Sequence, residues 1–429
     1  MTFRRRTSSF AAIFAALLFS ALLTFPALAQ SRASSRQLLL RRGALPSRGL
    51  NRLSISLIRN QVSGAYRPPI RYASARLAPT RLASLPRSER AYHPRRAIVD
   101  APSLAAPNLA APNSIALGAY FYQNGQCAPG DANAVSAYQS RAGRLPAVWM
   151  IFQGWTGWNG FPTSEARRAR QLGGRLLVTW EPWNGDQSAA KWSCRSVAGG
   201  AQDAYIRQYA RAVKSSGVPV MIRLAHEMNG DWYPWGTAYT SGSRRHNGNS
   251  PGSYVAMWRH IVAIFRAEGA RNVQWVWAPN IQFLNRFNSE GDQRADLAAL
   301  YPGDAYVDWI GLSVYNDTSK QSWRTFADLF DGTYRTLTQI SSKPMMIAEL
   351  GATESGAPSG TSKAAWISQT LLCDIPAQYP RVKLVNWFCR DKTGFGEANY
   401  RFDSSPGALQ AFRVAVNSPL YGARMRGDQ

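Results

Sequence analysis

Beyond residue 114 the chain alternates two textures. Short apolar, β-branched or aromatic runs are followed by stretches with one apolar stripe at helical spacing. The runs cover 115–121, 146–153, 175–183, 218–229, 273–280, 307–316, 344–352 and 381–389, which makes eight predicted strands. Near-continuous apolar runs of this kind suit parallel strands buried on both faces. Between them, Tyr205, Ile206, Tyr209, Ala212 and Val213 fall on one helical face, and Tyr254, Trp258, Ile261, Val262 and Phe265 on another. Eight β-α units predict an α/β fold of the (β/α)8 TIM-barrel type over 113–420, with a flexible tail at 421–429. A doubly wound open sheet is the alternative. It usually carries a Gly-rich phosphate loop after its first strand, and none follows Phe121.

Two segments precede the barrel. Arg4, Arg5 and Arg6, an apolar run from about residue 10 to 25, and Ala27-Leu28-Ala29 predict a signal peptide over 1–29. The run is shorter than the roughly 18–20 apolar residues of a bilayer span, so no membrane span is expected after its removal, and the mature protein is expected to be secreted or periplasmic and a monomer. Residues 30–112 hold fifteen Arg and no Lys against Glu89 and Asp100, and they keep no helical or strand period. They read as a disordered Arg/Pro/Ser-rich tether. Its charge suits an anionic partner such as an envelope polymer or nucleic acid, although a solvated linker is the plainer reading.

Composition narrows the classes further. The 429 residues are 45% hydrophobic and 17% charged, which excludes wholesale disorder. The formal charge of +25 belongs mainly to the tether and says little about the barrel. Four Cys without CxxC spacing argue against a zinc knuckle. With export, Cys127–Cys194 could staple two loops at the mouth, leaving Cys373–Cys389 as a second disulfide. His93 lies in the tether, His246 in a polar loop and His260 within a helix. No cluster has metal-ligand spacing, so neither a metal nor a cofactor is expected.

Barrel chemistry sits at the C-terminal ends of strands. There the chain places Glu181, His226-Glu227, Asn280, Tyr315, Glu349 and Trp387. A carboxylate directly after a buried run is costly unless it is paired or functional. Glu227 and Glu349 end strands four and seven, on opposite sides of the barrel mouth. Two carboxyl groups across one cleft suit glycoside cleavage: one protonates the departing oxygen, the other attacks or activates water. Ion pairing of each Glu with an arginine such as Arg223 or Arg390 is the structural alternative. Trp155, Trp158, Trp180, Trp183, Trp232, Tyr233 and Trp235 cluster around these ends, and flat sugar faces pack on aromatic rings. About half of these aromatics are expected in the core. Trp275, Trp277 and Trp309 are expected to fill the barrel. Glu181 could line a distal sugar subsite or support the site from behind.

The stretch Arg223-Leu224-Ala225-His226-Glu227-Met228-Asn229-Gly230-Asp231-Trp232-Tyr233-Pro234-Trp235-Gly236 resembles the signature of glycoside hydrolase family 26. The likeness continues through Tyr301-Pro302-Gly303-Asp304, Val307-Asp308, Ile310-Gly311, Tyr315 and Ile347-Ala348-Glu349, over roughly 114–417. It implies a retaining endo-β-glycanase, with β-1,4-mannan as the first substrate and mixed-linkage β-1,3-1,4-glucan as the second. Glu227 would be the acid/base and Glu349 the nucleophile. His226 would touch the sugar or orient Glu227, Tyr315 would hold Glu349, and Arg223 would support the acid/base. Trp232, Trp235 and Trp387 would stack sugars. The chain departs from the resemblance at Asn280, where mannanases of the family often carry an acid and several glucanases carry Asn. A non-catalytic glycan-binding barrel and a basic adhesin acting through the tether are the competing classes.

Overall fold

In the computed structural model, residues 114–155, 160–185, 190–238, 246–281, 296–422 and 425 are described. The signal peptide, the tether and Trp158 lie outside them. Eight parallel strands form one closed sheet: β1 (Ile115–Gln123), β2 (Val148–Gly154), β3 (Arg175–Glu181), β4 (Val220–Leu224), β5 (Val273–Trp277), β6 (Trp309–Asn316), β7 (Met345–Ala352) and β8 (Val382–Cys389). Six register pairs, Ala116 with Leu384 through Phe121 with Cys389, join β8 back to β1. The architecture is the TIM-like barrel expected.

Alternation along each strand divides the apolar residues into two clusters. Inside the barrel lie Val148, Met150, Leu177, Met221, Val276, Trp309, Met346, Leu384 and Phe388. Outside it, Trp149, Val178, Trp180, Leu224, Val314 and Val385 face the helices. The helix Asp203–Ser216 buries Tyr205, Ile206, Tyr209 and Val213, as its stripe predicts. The helix Pro251–Ala267 buries Tyr254, Trp258, Ile261, Val262 and Phe265, and it starts on a Ser250/Ser253 capping box. Among the described residues no helix is long and apolar enough to cross a membrane.

Three expectations change here. Trp309 lies inside the barrel, but Trp275 and Trp277 face outward. Their strand turns Gln274, Val276 and Ala278 inward, so Trp275 meets Phe265 edge-on at 4.9 Å and Trp277 meets Tyr301 at 5.1 Å. Residues 421–429 do not all form a tail. Tyr421–Gly422 pair in parallel with Ile115 and Ala116, and Tyr421 and Met425 are buried. All four cysteines are free thiols, so neither Cys127–Cys194 nor Cys373–Cys389 is bonded. Cys194 lies buried under the β4 loop near the Trp235 carbonyl, whereas Cys127 sits in the hairpin after β1 near Arg390. Cys389 is buried and Cys373 exposed.

Candidate active site

Strand β4 is shorter than its apolar run. It ends at Leu224 because Ala225 (φ 41°) and Glu227 (φ 53°) enter the left-handed region, which breaks the extended ladder. Such backbone is costly for residues other than glycine and persists where neighbours over-determine it. Here the Ala225 N–H donates to the Trp180 carbonyl on β3 at 3.0 Å and the Glu227 N–H to the Ala278 carbonyl after β5 at 2.7 Å. The loop then returns, with the Gly230 N–H on the Glu227 carbonyl and the Trp235 Nε1–H on the His226 carbonyl at 2.7 Å. These bonds aim Glu227 into the barrel mouth.

Glu349 reaches the mouth by another device. On β7, Met346 and Ala348 face the interior, so strict alternation would turn Glu349 outward. The register slips at this point: Ile347 pairs with Leu312, but Glu349 pairs with Ser313. The bulge puts Glu349 in phase with the inward Ser313 and Tyr315. Arg223 Nη1 and the Tyr315 hydroxyl donate to its two carboxylate oxygens.

Ser313 bears on both acids. Arg223 Nη2 donates to Ser313 Oγ at 2.7 Å while Nη1 holds Glu349, and the Ser313 hydroxyl favours the ionised form of Glu227. Trp232 Nε1 donates to Glu227 Oε2 at 2.8 Å. One side-chain nitrogen of His226 and one carboxylate oxygen each of Glu227 and Glu349 all lie within 4.8 Å of one another, in buried surroundings. The carboxylates already have donors within the protein.

The electrostatics separate the roles. Burial, then the charge of Glu349, raises the Glu227 carboxyl, while Arg223, Ser313 and Trp232 oppose the rise. Burial and nearby carboxylates keep the Tyr315 hydroxyl far above its ordinary value, so it remains a donor. Burial and the Arg223 charge hold His226 well below its ordinary value, so the ring is neutral. Its Nε2 meets the Tyr233 hydroxyl at 3.1 Å. Glu181 ends β3 beside this group. Burial first, then Glu349 and Glu227, pushes its carboxyl up to about 7.

The structure therefore brings together Arg223, His226, Glu227, Trp232, Tyr315 and Glu349, with Glu181 alongside. Asn280 joins at the rim, exchanging bonds of 2.8 and 2.9 Å with Asn229 and bridging to Ser313. Trp235 and Trp387 do not belong to an open platform. Trp235 is fully buried and stacks on Tyr233 at 4.5 Å. Trp387 faces outward on β8, 1% exposed, against Phe412, because β8 turns Asn386 and Phe388 inward instead. Trp155 and Trp180 are likewise core residues, 4.7 Å apart. Among the described residues, Trp232 and Trp183 are the partly exposed tryptophans of the mouth. Sequence reasoning missed Ser313. Its signal was a hydroxyl in an apolar strand two residues before Tyr315, on the same face.

Residues 193–360, which hold both acids, match the profile of Glycosyl hydrolase family 26. The chain belongs to glycosyl hydrolase family 26. Its similarity to Endoglucanase H of Acetivibrio thermocellus is 34% identity over 290 residues, 67% of this chain and 29% of that protein. With the Mannan endo-1,4-beta-mannosidase A and B of Caldalkalibacillus mannanilyticus it shares 29% over 148 residues, 34% of this chain and 24% of that protein. The chain thus spans under a third of the length of these two relatives. Among solved structures, the modular endo-beta-1,4-mannanase of Cellulomonas fimi superposes with a TM-score of 0.53 at 22% identity, covering 72% of each chain. That likeness concerns the fold.

Proposed function

We propose that the barrel is a retaining endo-acting glycoside hydrolase of a β-linked polysaccharide, exported from the cell, with β-1,4-mannan as its leading substrate. The observation that carries this reading is the pair of carboxylates. Oxygens of Glu227 and Glu349 approach within 4.8 Å. Retaining enzymes hold their two carboxyl groups about 5–5.5 Å apart, and inverting enzymes about 6.5–9.5 Å, to admit a water. Glu227, its proton held by burial, protonates the glycosidic oxygen as the bond to the anomeric carbon breaks. Glu349, kept in place by Arg223 and Tyr315, attacks that carbon. Glu227, now ionised, takes a proton from water, which displaces Glu349 and restores both groups. Trp232, whose indole N–H is spent on Glu227, offers its ring to a sugar.

A second substrate, mixed-linkage β-glucan, is favoured by Asn280 at the rim and by the length of the similarity to Endoglucanase H. The test is reducing-sugar release from galactomannan, lichenan and β-1,3-xylan side by side, with the anomer of the first product followed by NMR. Manno-oligosaccharides with retained β-configuration are expected. Release from lichenan alone moves the substrate to glucan, inverted product overturns the mechanism, and release from none overturns the enzyme reading.

A further inference from the structure

Tyr315 is packed against buried residues. Its ring packs on Gly351, where an added Cβ would lie 2.9 Å from Tyr315 Cδ1 and Cε1 and 3.2 Å from Tyr400 Cβ. Tyr400 closes the other side, with ring centroids 4.8 Å apart, and Phe388 meets Tyr315 edge-on at 5.8 Å. Tyr400 is itself pinned at three points. Its N–H donates to the Arg390 carbonyl at 3.0 Å, and its carbonyl accepts Trp387 Nε1–H at 2.9 Å. Its hydroxyl donates to Asp317 Oδ2 at 2.7 Å. Asp317 is buried and held by the Ser319 N–H at 3.0 Å, the Ser319 hydroxyl at 2.6 Å and Lys320 at 3.3 Å. A buried tyrosine with a satisfied hydroxyl and an anchored backbone is a rigid wall.

We infer that Tyr400 is a positioning residue for the nucleophile: its ring, anchored on Asp317 and Trp387, fixes the Tyr315 hydroxyl on Glu349. The observations carrying this are the ring contact between Tyr400 and Tyr315, the space that only Gly351 leaves, and the hydrogen bonds at its two ends, Tyr400 on Asp317 and Tyr315 on Glu349. Trp387, expected to stack a sugar, acts instead through the Tyr400 backbone. The inference rests on Glu349 being the nucleophile, as proposed above.

The test is a double-mutant cycle on the full chain, with kcat measured on an aryl β-glycoside whose leaving group departs without protonation. The rates are taken from single-turnover release of the aryl group, whose limiting value (kcat below) and half-saturation (KM below) report attack by Glu349, bypass proton donation by Glu227 and precede the water step. Tyr400→Ala is expected to lower kcat about tenfold, with KM within about twofold, and Tyr400→Phe to recover most of the loss because the ring remains. Tyr315→Phe removes the hydroxyl on Glu349, so adding Tyr400→Ala to it should cost nothing further. Losses that multiply in the double variant, or a Tyr400→Ala loss that appears in KM alone, overturn the inference. If Tyr400→Ala does not fold, the same cycle is run with Gly351→Ala, which pushes on the same ring. Wild type without glycosidase activity would sink the functional reading, whereas an active wild type with an additive cycle sinks this inference alone.

Discussion

Arg223 on β4 and Glu349 on β7 meet inside the barrel, the guanidinium donating to one oxygen of the carboxylate while its other arm reaches Ser313. Arg223 is fully buried, so this pairing compensates a charge taken out of water. The same guanidinium faces Glu227 electrostatically, which makes it the shared counter-charge of both acids. Removing it strands Glu349. Arg223→Met is expected to lower stability by about 3–5 kcal/mol and kcat by on the order of a hundredfold. Denaturant melts and initial rates check this, and a variant with wild-type rate would remove Arg223 from the machinery.

In the proposed mechanism Glu227 donates its proton, so the alkaline fall of kcat/KM is expected to report its ionisation in the free enzyme. The Trp232 N–H favours the ionised carboxylate. Without that donor the proton is held more tightly. Trp232→Phe should therefore shift the alkaline limb to higher pH, while KM rises through altered sugar packing. A limb that stays put or moves to lower pH contradicts the hydrogen bond at Glu227.

Glu181 makes stability itself depend on pH. Its folded-state value is raised from 4.5 to about 7, burial being the first cause. The folded chain then binds this proton more tightly than the unfolded chain, so its contribution is fully present below about 4 and lost as pH rises through 7. Melting temperature should decline from pH 4.5 to 7.5, and Glu181→Gln should flatten that decline. Parallel slopes in the two proteins would show that another group controls it.

Gly118 and Asn386 face each other in register on β1 and β8. A Cβ at Gly118 would stand 1.7 Å from Asn386 Oδ1, and Asn386 is fully buried. Gly118→Ala should cost about 1–3 kcal/mol from overpacking. Gly118→Ala combined with Asn386→Ala should regain part of the loss. Thermal melts of the three variants, Asn386→Ala alone included, decide it, and a combined variant less stable than the sum of both single changes would show that Asn386 has another task.

The barrel, its eight strands and the two faces of its main helices were legible in the local pattern. Burial on both sides leaves near-continuous apolar runs, and one-sided burial leaves a 3.6-residue stripe. The acids were legible too, since Glu227 and Glu349 are polar groups at the ends of runs where solvation is lost. Which tryptophans meet solvent was not legible. Trp235 and Trp387 stand in sequence where a sugar platform could be, but burial on the outer face of β8 and under the β4 loop follows from what packs above them. The cysteine pairing failed because loops that share one face of the barrel, here those after β1 and β3, need not bring their side chains together.

By itself, the order of residues determined the number of strands, their sequence around the barrel and the kind of group at each strand end, because those depend on periodicities a few residues long. Tertiary structure decided where the groups point. The bulge at Ala348 leaves β7 paired with both β6 and β8, and the left-handed turn at Ala225 and Glu227 persists because β3 and the segment after β5 accept its N–H groups. Both devices are held by partners that lie dozens of residues away.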